Sequence, residues 1–145
     1  MMNIADGINL NDIVVGMALP EVERFITQED INLYAEVSQD SNPIHVDPEF
    51  AKKTPLGGTI AHGMLTLAFV SQVMTLAFGR RWLTGGKLGI RFKTPVRPGD
   101  TISTTGTVRK IEQSDEHTTI YCDVLCHNQK GETVITGETQ VRVQK

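Results

Sequence analysis

No block of basic residues interrupts this sequence, and its formal charge is −3, from 14 Lys and Arg against 17 Asp and Glu. That excludes the broad electrostatic footprint of a nucleic-acid-binding surface and leaves room only for a local basic patch. Cysteine is scarce, at two residues, Cys122 and Cys126. Both fall in one segment that reads as a strand, four apart, so they share a face with Cα atoms roughly 13 Å apart. A disulfide between them is excluded by that span. Two buried thiols in a reducing compartment are expected, and no metal-ligand cluster forms around them.

Other familiar sites are missing as well. There is no Gly-x-Ser-x-Gly elbow, no phosphate loop, no dinucleotide fingerprint and no zinc spacing. The opening MMNIADGINLND has no basic start and no long apolar run, so no signal peptide is expected. The segment from Gly63 to Gly79, GMLTLAFVSQVMTLAFG, carries no charge. It falls short of the roughly 20 apolar residues a membrane span wants and contains Thr66, Ser71, Gln72 and Thr75. A buried core helix is expected instead, and with it a cytoplasmic protein with no membrane partner.

What is present is an ordinary globular composition, 39% hydrophobic and 21% charged over 145 residues. That length predicts one domain spanning 1–145, large enough to bury a core without disulfides or a structural metal. Residues 1–19 read as a lead-in, and Val22 to Ile26 as a short strand. Thr27 with Asp30 forms a capping-box pattern that opens a helix over Gln28 to Ser38, with Ile31, Tyr34, Ala35 and Ser38 facing inward. That helix must stop before Asn42-Pro43. Asp47-Pro48 opens a second small helix over Pro48 to Lys53, and Thr54 to Gly58 is a loop. The long apolar helix then starts near Ala61 or His62 and ends at Gly79, where glycine suits a left-handed cap. Arg80 and Arg81 follow, placed to complement its dipole. From Lys87 the pattern turns to strands: Lys87–Phe92, Thr101–Ile111, Thr118–His127 and Thr133–Val143, broken by Pro and Gly turns. A helix apolar all round must be covered on most sides. A curled antiparallel sheet wrapped around it would do so, giving an α+β architecture.

Two segments carry the chemistry. In Ser38-Gln-Asp40-Ser-Asn42-Pro43-Ile-His45-Val-Asp47, the Asn-Pro turn can fold the chain back and bring Asp40 and His45 to one spot. A carboxylate and an imidazole together form a general acid/base pair; the plainer alternatives are a turn cap for Asp40 and a satisfied polar residue for His45. Asn42 reads as a turn residue and Asp47 as an N-cap. In Gly57-Gly58-Thr59-Ile60-Ala61-His62-Gly63-Met64, a glycine at a helix N-terminus offers an unpaired N–H to a substrate oxygen, as an oxyanion hole requires. The alternative is a plain loop-to-helix junction. His62 reads as a structural residue at the helix entry, and His117 and His127 as non-functional.

Taken together, Tyr34…Ser38-x-Asp40-x-Asn42-Pro43-Ile44-His45-x-Asp47, Ile60-Ala61-His62-Gly63-Met64 and Phe92-Lys93-x-Pro95-Val96-x-Pro98-Gly99-Asp100 resemble the MaoC-like (R)-specific enoyl-CoA hydratases, over about residues 17–143. The resemblance implies a hot-dog fold and a homodimer or higher even oligomer. It also implies a place in fatty acid metabolism, hydrating trans-2-enoyl thioesters of CoA or acyl carrier protein to (3R)-hydroxyacyl products, or the reverse, with no cofactor and no metal. It implies Asp40 and His45 as the catalytic dyad, the Gly63 N–H as the thioester-oxygen donor, and Asn42 and Ser71 as site-lining positions. Met64, Leu65 and Phe69 are candidates for an acyl tunnel, and Lys52, Lys53, Arg91, Lys93 and Arg97 for the CoA phosphates. Two rival readings use the same fold: an acyl-CoA thioesterase, and a non-catalytic acyl-thioester-binding subunit.

Overall fold

The computed structural model describes residues 6–145; Met1 to Ala5, the first part of the lead-in, lie outside the described residues. Strand β1 is Val22–Phe25 and helix α1 is Gln28–Ser38. The capping box is present: the Asp30 N–H donates to the Thr27 hydroxyl at 3.1 Å, and the Thr27 N–H donates to the Asp30 carboxylate at 2.9 Å. Ile31 and Ala35 are buried and Tyr34 is half-buried, as their spacing predicts. Ser38 is exposed instead, because the inward stripe ends at Ala35 and everything from Glu36 to Gln39 faces solvent.

The Asn42-Pro43 segment, expected as a turn, is a full helical turn, α2 (Pro43–Val46), with Asn42 as its N-cap accepting from the Ile44 N–H. Helix α3 is Pro48–Lys52, with the Asp47 carboxylate accepting from the Phe50 N–H. Helix α4 is Gly63–Phe78 and α5 is Arg80–Gly85. The sequence does not announce α5. Gly79 breaks the chain with φ 58° and ψ −132°, a positive φ that suits glycine but is not the left-handed helical cap expected. Arg80 and Arg81 therefore open α5, and the Arg81 guanidinium donates to the carbonyls of Asp6 and Ile8.

Four longer strands follow: β2 (Gly86–Phe92), β3 (Thr101–Gln113), β4 (His117–His127) and β5 (Thr133–Gln144). All pairs are antiparallel, in the spatial order β1-β3-β4-β5-β2. Consecutive β2 and β3 are thus not neighbours: β2 crosses to pair with β5, and its other edge pairs with no strand among the described residues. Alternation puts Ile102, Thr104, Gly106 and Val108 of β3, and Ile120, Cys122, Val124 and Cys126 of β4, on the face toward α4. Helix α4 answers with Thr66, Phe69, Val70, Val73, Met74, Ala77 and Phe78, all buried. The α+β expectation of an antiparallel sheet around a long apolar helix holds. Its coverage is narrower than expected, since Met64 is 58% exposed and Ala68 also faces solvent, on the flank that this chain leaves bare.

Both cysteines are free and fully buried. Burial pushes the Cys122 thiol up to about 11, and the Cys126 thiol up by the same cause. In native protein at pH 8, neither thiol is expected to react with an aromatic disulfide reagent, and both react once urea unfolds the chain. The unfolded chain loses the Cys122 proton first, so that stability is full below pH 9 and declines toward pH 11. Urea unfolding at about pH 10.5 should show about 1–2 kcal/mol of alkaline loss that a Cys122→Ala variant lacks.

Candidate active site

Asp40 lies just beyond α1, where Gln39 adopts φ 62°, the one positive φ at a non-glycine among the described residues. Such a conformation is costly and clusters where geometry matters; here it ends α1 and turns the chain into the Asp40–Asn42 segment. Asp40 is exposed, and its Oδ1 accepts a long 3.4 Å bond from the Asn42 N–H. Asn42 caps α2, and its carbonyl accepts the His45 N–H at 2.9 Å. The helical turn after the Asn-Pro pair thereby returns His45 toward Asp40. Asn42 shapes the loop, and Asp47 is the N-cap that its sequence context predicts.

The segment 59–63 closes the site. His45 Nδ1 is 2.8 Å from the Ile60 carbonyl. A carbonyl only accepts, so Nδ1 carries the proton and Nε2 holds the free lone pair. In the other direction, His62 Nε2 is 2.8 Å from the Asp40 carbonyl, and the Ile60 N–H donates to the Ile44 carbonyl at 3.2 Å. The two imidazoles stack with centroids 3.8 Å apart, and the Tyr34 ring packs on His62 at 4.8 Å. His62 is only 2% exposed, and its Nδ1 has no hydrogen-bond partner among the described residues. A buried polar atom left so costs about 1–3 kcal/mol. Immediately after it, Gly63 begins α4, and its N–H takes no partner among the described residues. Gly63 lines a cavity of about 470 Å³ together with Ile60, Met64, Phe92, Lys93, Val96 and Val134, among others.

The carboxylate of Asp40 and one ring nitrogen from each of His45 and His62 lie within 4.8 Å of one another. Three such donors can hold a metal ion in principle. Yet the two rings are stacked only 24° from parallel, and lone pairs lie in their own ring planes, so both do not point at one ion. The arrangement suits proton transfer better. Gln28 joins the site without any signal in the sequence: its amide donates to the His45 carbonyl at 2.8 Å and accepts from the Thr59 hydroxyl at 2.6 Å. Partners 17 and 31 residues away leave no local pattern.

Other expected site residues are dispersed. Met64 lines the Gly63 cavity, whereas Leu65 and Phe69 line a second cavity of about 430 Å³ with Phe25, Leu33, Tyr34 and Val37. Ser71 lies about 12 Å along α4 from Gly63 at 1.5 Å per residue, and its hydroxyl accepts the Trp82 indole N–H at 3.0 Å. Of the five basic candidates, Lys93 reaches the Gly63 cavity. Lys52 pairs with Glu49, and Arg97 donates to the Leu56 carbonyl. Arg91 and Lys53 are exposed, and neither lines that cavity.

A protein-family model described as the MaoC-like domain matches residues 14–128. An (R)-specific enoyl-CoA hydratase of Rhodospirillum rubrum is 37% identical over 81% of this chain and 80% of its own. A 3-hydroxybutyryl-CoA dehydratase of Methylorubrum extorquens is 31% identical over 92% of this chain and 83% of its own. Among solved structures, the R-hydratase PhaJ1 of Pseudomonas aeruginosa superposes with a TM-score of 0.76 at 28% identity, covering 93% of this chain and 88% of that one.

The structure gives Gly63 a reason that the sequence does not. A Cβ there would come within 2.8 Å of the Phe92 ring, so a side chain strikes Phe92. Phe92 is 56% exposed and its ring can swing aside, so Gly63→Ala is expected to destabilise by no more than about 1 kcal/mol. Adding Phe92→Leu should recover part of that loss, giving a non-additive double-mutant cycle in urea unfolding.

Proposed function

This chain belongs to the MaoC-like domain family, and from that premise we propose that it adds water to trans-2-enoyl thioesters to give (3R)-3-hydroxyacyl thioesters, or runs the reverse dehydration. Its curated relatives make it a lyase of the hydratase/dehydratase type, and its fold is the hot-dog fold of the R-hydratases. The observation that carries the finer reading is the gathering of the Asp40 carboxylate with the His45 and His62 rings at the entry to α4. The Asp40 carboxylate and the His45 Nε2 lone pair are both acceptors, and the free Gly63 N–H stands one residue beyond the His62 that bonds the Asp40 carbonyl.

Two acceptors side by side hold one water by its two O–H bonds, which turns its lone pairs toward a substrate carbon. Asp40 takes one proton as the water oxygen bonds to C3. Electrons of the C2–C3 double bond shift onto the thioester oxygen, where the Gly63 N–H and the positive end of α4 meet the developing charge. The enolate then collapses as C2 takes the proton from Asp40, with His45 sharing it, so that H and OH are added and the dyad is restored. No cofactor is needed for these steps. The acyl group would come on CoA or an acyl carrier protein. The protein would work in the cytoplasm, where two free thiols stay reduced; among the described residues, no helix is long and apolar enough to cross a membrane.

A second copy of the chain would complete the assembly. β2 has one open edge, carries Leu88 and Phe92 at 41% and 56% exposure, and lies beside the exposed Met64. Pairing removes such an edge from solvent. Light scattering is expected to give at least twice 16.0 kDa; a stable, active monomer would contradict the pairing.

The catalytic reading is tested by following the loss of conjugated absorbance of crotonyl-CoA and longer enoyl-CoAs, with chiral analysis of the product. Asp40→Asn and His45→Gln should each cut turnover by about 100- to 10,000-fold. The double variant should be little worse than the poorer single one, because both act on one proton. Near-normal hydration by folded Asp40→Asn protein would end the dyad mechanism. Thiol release from a saturated acyl-CoA would point to a thioesterase, and binding without turnover to a carrier subunit.

A further inference from the structure

We infer that His62 is the positioning residue of this site, the group that sets where the Asp40–His45 pair stands relative to the Gly63 N–H. The inference rests on the hydratase reading for its kinetic consequence, and on geometry alone for its structural one. The two catalytic segments are joined by a crossed pair of bonds. His45, from the segment 40–45, donates to the Ile60 carbonyl, while His62, from the segment 60–62, donates to the Asp40 carbonyl, each at 2.8 Å. The two rings that make this exchange lie face to face at 3.8 Å. His62 therefore touches both members of the dyad, Asp40 through its backbone and His45 through its ring face, and is covalently next to the oxyanion donor.

A helix-entry residue with no further duty would cap α4, yet the His62 side chain makes no capping bond. Its ring is turned away from the helix N–H groups and toward Asp40 and His45, and its Nδ1 is buried with no partner among the described residues. That arrangement spends a buried polar atom to place the Nε2–H on Asp40. Leucine at this position would keep the bulk and lose the donor. Glutamine would restore an N–H near the same place without the aromatic face.

The distance between the base and the oxyanion donor must match that between C3 and the thioester oxygen of the substrate. A displacement of about 1 Å in such an array costs about 100-fold in rate. His62→Leu is expected to lower kcat by about that factor with KM little changed, because the substrate-binding walls are untouched. His62→Gln should recover most of the loss. Thermal melts and circular dichroism establish that each variant is folded. If His62→Leu fails to fold, the comparison passes to His62→Gln and His62→Asn: only the glutamine amide reaches the Asp40 carbonyl, so glutamine should keep the higher kcat. Folded His62→Leu with normal kcat, a loss confined to KM, or equal loss in the leucine and glutamine variants would each overturn the inference.

A second readout needs no turnover. Nitrogen-15-correlated spectra of the wild-type protein at about pH 8 should show His62 protonated on Nε2 and His45 on Nδ1. In His62→Leu, the His45 ring resonances should move as the stacked ring is lost. A His62 protonated on Nδ1, or His45 signals unmoved by the substitution, would refute the positioning role even if the enzyme proves to act on another substrate. Absence of hydration by wild-type protein with the expected spectra would instead strike the proposed reaction and leave the geometry standing.

Discussion

The burial of one stripe of α4 against the sheet is the constraint on which the rest depends. Phe69, Val70, Val73, Met74, Ala77 and Phe78 are spaced so that two neighbours per turn meet the inward residues of β3 and β4. Each fully buried side chain of this size contributes about 1.5–3 kcal/mol relative to exposure. The stripe fixes the helix in rotation as well as position, since turning it by one residue would bring Ala68 inward and expose Phe69. Fixing the rotation of α4 fixes the direction of its first free N–H, that of Gly63. An electrostatic site that is built before the substrate arrives needs no reorganisation at the moment of reaction. With Gly63 as the proposed oxyanion donor, the apolar core provides that rigidity.

Asp40 and His45 are held differently, by hydrogen bonds that cross between loops. Gln28 on the first turn of α1 bonds both the His45 carbonyl and the Thr59 hydroxyl, and the histidine–carbonyl exchange ties 40–45 to 60–62. The capping box at Thr27 and Asp30 therefore matters beyond α1 itself, because it sets the turn from which Gln28 reaches. Backbone carbonyls serve as the partners of both imidazoles. That choice pins each tautomer without adding charge, and leaves Asp40 as the one carboxylate in the cluster.

Much of this was legible in the chain, and the exceptions share a cause. Helix α1 was readable to its ends because its cap and stop signals are local, in Thr27, Asp30 and Pro43. The strands were readable from β-branched alternation, to within two residues at each end. The segment Asn42–Val46 was read as a turn because a four-residue helix has no room for periodicity. Helix α5 was missed because its meaning depends on the φ of Gly79 and on Arg81 reaching back to Ile8. Strand order escaped for the same reason, since β2 pairs with β5 and two strands, β3 and β4, intervene in the chain. At the site, Asp40, His45 and Gly63 were visible as residue types in a suggestive spacing. Gln28, and the inward turn of His62, were not, because their partners lie 17 to 31 residues away. Ser71 was placed by resemblance alone, and in this chain its hydroxyl is engaged by Trp82.

The exposure of the site follows from how its parts are made. The histidines are shielded because their rings pack on one another and on Tyr34, while the Asp40 carboxylate stands in solvent. A carboxylate needs hydration or hydrogen-bond donors to remain charged, and burying it without them would favour the neutral acid, which is no base. In the proposed reaction Asp40, as the base, is thus left open on one side and held from behind, through its backbone carbonyl, by a buried ring. Substrate must supply the missing cover. A thioester whose oxygen reaches the Gly63 N–H in the proposed reaction would close over Asp40 and exclude bulk water as it binds. The open β2 edge is a separate surface, the one proposed above to pair with a second copy of the chain.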